Sequence, residues 1–230
     1  IYVTPSHQYP LGVTMSLSRR MNLLEWAKET ESFIIEDDYD SEFRYAGRPL
    51  ASLQGLDRNG VVIYIGTFSK TVFPALRLGF LVAPTDLIDI FVAAKALRDW
   101  HSPNIDQAVL AEFIAEGHFA KHLRKMRGLY QERQQILINE AEKHLKGLLE
   151  VSPSTSGMHL VGWLPEEIDD SAIFPTGFEQ NLHLIPISAS CIEQKMRSGI
   201  FLGYTAFNEA QIKAGIKKLR EILLTISGKN

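Results

Sequence analysis

Lys70 closes the run Gly66-Thr67-Phe68-Ser69-Lys70, and Arg77 stands further on in Pro74-Ala75-Leu76-Arg77-Leu78-Gly79. Upstream lies a second polar run, Glu36-Asp37-Asp38-Tyr39. A lysine amine condenses with an aldehyde to form an imine. A carboxylate keeps a ring nitrogen protonated and turns a heteroaromatic ring into an electron sink. A phenol bonds a ring hydroxyl, while side-chain hydroxyls and a guanidinium bind phosphate. Both runs follow apolar, strand-like segments, and ligands of open α/β sheets sit at the carboxyl ends of strands. A nucleotide P-loop is excluded, because that motif needs a glycine directly before its lysine and Ser69 stands there.

Three apolar runs are expected to be the strands that position these groups: Phe33-Ile34-Ile35, Val61 to Ile65, and Leu78 to Val82. They are apolar throughout, as strands buried on both faces should be. A helix is expected over Leu17 to Glu31, with Leu17, Met21 and Leu24 on one face. Helices are then expected over Asp86 to Trp100, over Ile105 to Glu116 with Asn104 as cap, and over His118 to Lys146 with Leu123, Met126 and Tyr130 on one face. Beyond Gly147, Val151, Met158 to Trp163, Leu182 to Ile187 and Ile200 to Tyr204 read as strands. A last helix from Asn208 to about Ile226 carries the stripe Ile212, Ile216, Leu219 and Leu223.

The bulk properties exclude several function classes. A net charge of −3 over 230 residues gives no global attraction to nucleic acid or anionic membrane. No apolar run approaches the ~20 residues that span a bilayer, and no signal peptide is visible. A lone cysteine, Cys191, forms no internal disulfide and reads as a buried small hydrophobe; the expected location is cytoplasmic. His7, His101, His118, His122, His144 and His183 lack metal-ligand spacing, and no metal is expected. His159 alternates with apolar neighbours and reads as a satisfied strand histidine, with a place at a substrate mouth as the alternative. The basic cluster Lys121, Arg124, Lys125 and Arg127 reads as a solvated helix face rather than a DNA contact.

The run from Tyr64 to Gly79 resembles the lysine segment of fold-type I aminotransferases. Glu36-Asp-Asp-Tyr-Asp-Ser-Glu-Phe-Arg-Tyr45, Ser52-Leu-Gln-Gly-Leu-Asp57 and His122-Leu-Arg-Lys-Met-Arg-Gly-Leu-Tyr-Gln-Glu-Arg133 narrow the likeness. They resemble the aminotransferase-like domain of MocR/GabR-type transcription regulators, a branch of the GntR family. The resemblance runs from about Val3 to the final helix. It implies pyridoxal 5′-phosphate (PLP) as cofactor, held as an imine on Lys70. It further implies Asp37 at the pyridine nitrogen, with Asp38 as the fallback if the turn is shifted by one. Tyr39 would contact the ring hydroxyl, and Thr67, Ser69 and Arg77 the phosphate.

The fold implied is α/β. Part of a fold-type I large domain, with three layers αβα, is expected over 1–100, connecting helices over 101–147, and a small α+β C-terminal domain over 148–230. The function implied is effector sensing by a PLP-dependent transcription regulator, in which an amine or amino acid reacts with the cofactor by transimination. The alternative is an amino-acid aminotransferase, and a third reading is a remnant used for self-association. A homodimer is expected, with DNA bound only through a domain absent from this chain. The opening at Ile1, inside a strand-like run, reads as a piece whose upstream part is missing, including the family's glycine-rich phosphate loop and ring-stacking aromatic.

Two positions depart from related aminotransferases; the first favours regulator over enzyme, and the second leaves the usual carboxylate clamp without its arginine. Tyr9 stands where related aminotransferases place an asparagine that contacts the ring hydroxyl. Phe201 stands where they carry a carboxylate-binding arginine; Arg197 is close by, as a substitute or, the preferred reading, a solvated loop arginine.

Overall fold

The computed structural model describes residues 1–193 and 196–228. In chain order its elements are β1 (Tyr2–Val3), α1 (Leu17–Glu29), β2 (Ile34–Asp38), α2 (Leu53–Leu56), β3 (Val62–Thr67), β4 (Gly79–Val82), α3 (Ile88–Asp99), α4 (Asn104–Ala115) and α5 (His118–His144). They continue with β5 (Glu150–Val151), β6 (His159–Trp163), α6 (Ile173–Glu179), β7 (Ile185–Pro186), β8 (Gly199–Gly203) and α7 (Glu209–Ser227). Short 3-10 turns join several of them. The chain divides into two units: Ile1–Tyr9 with Val13–Lys125, and Pro10–Gly12 with everything from Met126 onward.

The first unit is built on a sheet of order β1-β2-β3-β4. The first three strands run parallel and β4 runs antiparallel to β3. The carboxyl ends of β1, β2 and β3 therefore share one edge, where α/β sheets bind their ligands. The strands reach further than their apolar runs. Pairing continues to Asp38 opposite Gly66, so Asp37 and Asp38 close β2 and Thr67 closes β3. One face of the sheet packs Ile34 and Val62 against Leu24 and Ala27 of α1 and Leu53 of α2.

The buried side of α1 differs from the expected stripe. Leu17 and Met21 are exposed, and the buried positions are Arg20, Leu24 and Ala27. Arg20 takes the core position because its guanidinium finds three carbonyl acceptors and a carboxylate there. It donates to the carbonyl oxygens of Met15, Ala51 and Pro5 and lies 3.7 Å from Glu36 Oε1. Glu36 in turn accepts from the backbone N–H groups of Leu53 and Gln54, at 2.8 and 2.9 Å. A buried charge pair thus ties α1, β2 and α2 together.

The expectation of strands buried on both faces fails at β4, where every residue is exposed. This strand is the edge of the sheet, and no described strand pairs with its outer side. Helix α3 is likewise exposed along its length, including Ile90, Val92 and Leu97. Asn104 does not cap α4. It is the first helical residue, and Pro103 occupies the cap position with no side-chain bond. The proline already has the φ of −62° that suits a chain turning into a helix.

The second unit holds an antiparallel sheet of order β5-β6-β8-β7. Its core joins Leu137, Ile138 and Ala141 of α5, and Leu145 just after it, to Leu160, Ile200 and Leu202 of the sheet and to Ile212, Ile216, Leu219 and Leu223 of α7. The expected α7 stripe is buried as written. Asn208 caps α7 in a capping box with Gln211. The strand expected over Leu182 to Ile187 shrinks to β7, because the chain turns into a 3-10 helix at Ile187–Ser190. Cys191 is half-buried rather than buried, since it ends that turn with its Sγ 3.7 Å from the Ile187 carbonyl oxygen. Helices α2 and α6 lie in stretches that carry too few turns for a periodic signal.

Candidate functional site

Side chains alternate along a strand, and this separates the acidic run of β2. Glu36 and Asp38 point to the face that packs on the helices, and both are buried. Asp38 Oδ2 accepts from Tyr64 Oη and Ser41 Oγ, each at 2.7 Å. Asp37 points to the opposite face, where Tyr2 donates its hydroxyl to Asp37 Oδ2. The Tyr2 phenol is pushed up to about 12 by burial, then by the bond to Asp37 and by that carboxylate's charge. The same pleat puts Ile65, opposite Asp37 in register, and Thr67 on the Asp37 side.

After Thr67 the chain folds into a tight turn. Ser69 N donates to Thr67 Oγ1 at 3.1 Å, and Val72 N to the Phe68 carbonyl at 2.9 Å. This turn carries Lys70 to the surface, exposed, with its positive charge felt at Asp40. The turn depends on close backbone packing. A Cβ on Gly66 would lie 2.3 Å from the Phe80 ring, and one on Gly79 would lie 2.9 Å from the Gly66 carbonyl oxygen. Phe80 in turn contacts Phe68 and Tyr64. Arg77 is exposed and sits in the left-handed region at φ 51°, ending the 3-10 turn Pro74–Leu76.

Tyr39 follows β2 directly. Its hydroxyl donates to the His7 carbonyl at 2.8 Å, and the His7 ring nitrogen Nδ1 lies 3.1 Å from the same phenol oxygen. His7 Nδ1 is also 3.0 Å from Asp40 Oδ2. Burial, then the charges of Asp40 and Asp37, push the Tyr39 phenol well above the ordinary tyrosine range, so it is a protonated hydroxyl. Tyr2, His7 and Asp40 are neighbours that sequence reasoning did not single out. Period-two alternation in the 36–38 run was the available signal for Asp37; nothing local points to His7, whose partners lie far along the chain.

The predicted set thus meets at one end of the sheet: Asp37 and Tyr39 from β2, Thr67 and Ser69 from β3 and its turn, and Lys70 beyond. An amine, an open-face carboxylate, a protonated phenol, two hydroxyls and a guanidinium form a donor set that fits an aldehyde-bearing ring with a phosphate arm.

Other candidates resolve differently. In the second unit, His159 is buried, stacks on Phe201 with ring centres 4.1 Å apart, and has Nε2 2.9 Å from the Pro10 carbonyl oxygen. It is a satisfied strand histidine. Arg197 is an exposed loop arginine, as the preferred reading has it, and it also pairs with Glu150 at 2.9 Å, donates to the Leu164 carbonyl and lies over the Trp163 ring. A cavity of about 600 Å³ beside that pair is lined by Lys146, Glu150, Trp163 and Arg197 among others, and contains none of the predicted residues. Lys121, Arg124 and Lys125 form the expected exposed helix face, while Arg127 is half-buried. Among the described residues no helix is long and apolar enough to cross a membrane.

Known proteins are similar to the chain along most of its length. The chain is 41% identical over 220 residues to YhdI, an HTH-type transcriptional regulator of Bacillus subtilis, covering 96% of the chain and 47% of that protein. It is 39% identical over 226 residues to MocR of Rhizobium meliloti, described as a probable rhizopine catabolism regulatory protein, covering 98% and 46%. The chain belongs with the aminotransferase-like domains of MocR-type regulators, and its fold is that of the fold-type I aminotransferases. The kynurenine aminotransferase of Pyrococcus horikoshii superposes with a TM-score of 0.89 at 30% identity, over 97% of this chain and 55% of that one. That structure was solved with PMP, its substrate and its product. No family model matches the chain. The chain spans about half the length of the curated MocR-type relatives it matches.

Proposed function

We propose that this chain is the effector-sensing, aminotransferase-like domain of a PLP-dependent transcription regulator. Lys70 holds the cofactor, Asp37 faces its ring nitrogen, Tyr39 its ring hydroxyl, and Thr67, Ser69 and Arg77 its phosphate. When bound, the cofactor supplies an aldehyde carbon that exchanges the lysine amine for an incoming amine or amino acid. Asp37 keeps the ring nitrogen protonated. Lys70, when not joined to the cofactor, would be an amine able to take up and give back a proton at Nζ. The exchange biases a two-state change that repositions DNA-binding domains carried outside this chain. The protein acts as a homodimer in the cytoplasm.

The observation that carries the reading is the splitting of the acidic run. Asp38 is spent on Tyr64 and Ser41, while Asp37 stands on the other face, which it shares with Thr67. Sensing is favoured over turnover because the position of the carboxylate-binding arginine is Phe201, stacked on His159, and Arg197 is held by Glu150.

The test uses the full-length gene product. Borohydride reduction after PLP loading is expected to label the Lys70 peptide alone, and Lys70→Ala to abolish the label. Added amines or amino acids are expected to shift the cofactor's absorption and DNA affinity without accumulating a keto acid. A label on another lysine overturns the site; sustained keto-acid production overturns the sensing role in favour of an aminotransferase.

A further inference from the structure

We propose that His7 and Asp40 are a positioning pair for Tyr39, in which His7 Nδ1–H is donated to the phenol oxygen and the phenol's own proton is thereby presented to the cofactor's ring hydroxyl. The proposal rests on the assignment of Tyr39 under Proposed function. It concerns two side chains that have no part in that assignment.

The geometry is specific. His7 and Asp40 are 2% and 1% exposed, so neither is a chance surface neighbour. His7 Nδ1 lies between two oxygens, 3.0 Å from Asp40 Oδ2 and 3.1 Å from Tyr39 Oη. Tyr39 already directs its proton to the His7 carbonyl, at 2.8 Å. Its oxygen can therefore meet Nδ1 only as an acceptor, and Nδ1 must carry the hydrogen. An ionised Asp40 has acceptors alone and selects the same tautomer. The imidazole N–H is thus given to the phenol, with the Asp40 carboxyl 3.0 Å from the same nitrogen, and the residue that provides it also holds the phenol by its backbone.

A hydroxyl that accepts a hydrogen bond becomes a stronger donor. With the cofactor present, the Tyr39 proton has a second acceptor in the ring oxygen, and the Nδ1–H bond keeps the phenol oxygen fixed while its proton turns. Several charged and titratable groups act on the pair. Tyr39 faces Asp40, Asp37, Tyr9 and Tyr2; Asp40 faces His7, Asp38 and Lys70. Burial pushes the Asp40 carboxyl above the ordinary range, and His7 and then Lys70 draw it back, so the pair lies within the electrostatic reach of Lys70.

A purely structural staple would affect stability and nothing else. The decisive readout is the pH midpoint at which the absorption band of the lysine-bound cofactor changes, measured on the full-length gene product loaded with PLP. A donor to the ring oxygen stabilises its negative charge and lowers the proton affinity of the adjacent nitrogen. Tyr39→Phe is expected to raise the midpoint. His7→Phe and Asp40→Asn are expected to raise it by a smaller amount, about half a pH unit. His7→Asn, which keeps an N–H donor near the place of Nδ1, is expected to restore it. His7→Phe combined with Tyr39→Phe is expected to match Tyr39→Phe alone.

Midpoints unmoved in His7→Phe and Asp40→Asn, with the band intact, overturn the proposal. So does a His7→Phe effect that adds to Tyr39→Phe, because the histidine then acts by another route. If His7→Phe does not fold, the contrast between Asp40→Asn and His7→Asn decides: a shift in the first alone supports the pair, and any other pattern overturns it. A parent protein with no such band, or a Tyr39→Phe midpoint that does not move, overturns the Proposed function reading and this proposal with it.

Discussion

Arg77 keeps a left-handed backbone, at φ 51°, that an L-residue occupies at a cost of about 1 kcal/mol or more. Glycine would hold that conformation freely. Arg77→Gly is therefore expected to leave stability within about 1 kcal/mol of the parent. If the guanidinium binds the phosphate, the same change lowers PLP affinity at least tenfold, since a charge-assisted bond contributes about 1.5–3 kcal/mol. Parallel melting curves and PLP titrations of the full-length gene product separate the two effects. The neighbouring carboxylates make an opposed pair. Asp37→Asn is expected to lower PLP affinity at least tenfold with little change in stability. Asp38→Asn weakens the bonds from Tyr64 and Ser41 and is expected to cost about 1–3 kcal/mol of stability, with affinity nearly unchanged. A larger affinity loss in Asp38→Asn would place the pyridine nitrogen at the wrong carboxylate. The runs that hold Lys70, Asp37 and Tyr39, the residues of the proposed cofactor site, stand out in the sequence because they are residue types within short spans. The partners of Tyr39 do not, because His7 reaches it only after the sheet has formed.

At the scale of elements, β2 carries two chemistries on alternate faces. Its inner face carries Glu36, which is met by Arg20 and by the first N–H groups of α2. Removing one partner of a buried pair leaves the other charge uncompensated, typically at about 3–5 kcal/mol. Arg20→Met is expected to destabilise the protein on that scale, although methionine fits a core, and Arg20→Met with Glu36→Gln to recover part of the loss. Chemical denaturation of both variants measures the coupling; equal losses would mean the pair is not the tie between α1 and β2. This contact also explains why the α1 stripe was misread. Apolar periodicity assigns an arginine to the surface, since charged residues are seldom buried without a partner, and the partner here lies on another element. By contrast, α7 was legible from its stripe and its cap, because both signals are local to the helix. The ends of β2 and β3 were read too short, since their final residues are polar and are kept in the strand by pairing rather than by apolar character.

At the scale of the molecule, the fold class was legible through motif resemblance, but the exposure of whole elements was not. Edge strand β4 shows Phe80, Leu81 and Val82 to solvent, and α3 shows Ile90, Val92 and Leu97. Apolar surface of this extent is normally covered by association, and an open strand edge offers unpaired backbone groups to a second chain. The 230-residue chain by itself is expected to self-associate in light scattering. Val92→Lys with Leu97→Glu is expected to reduce that association without unfolding either sheet; a monodisperse parent at high concentration would contradict it. The division into two units has its own consequence. Pro10–Gly12 belongs with the second unit although Tyr9 and Val13 on either side belong with the first, and the Pro10 carbonyl meets His159. The second unit is therefore discontinuous in the gene. Cutting the coding sequence at Lys125 and Met126 yields a piece in which His159 has lost that carbonyl. Any chimera that exchanges this unit between relatives needs three junctions rather than one, so recombination at a single point separates segments that must come from the same parent.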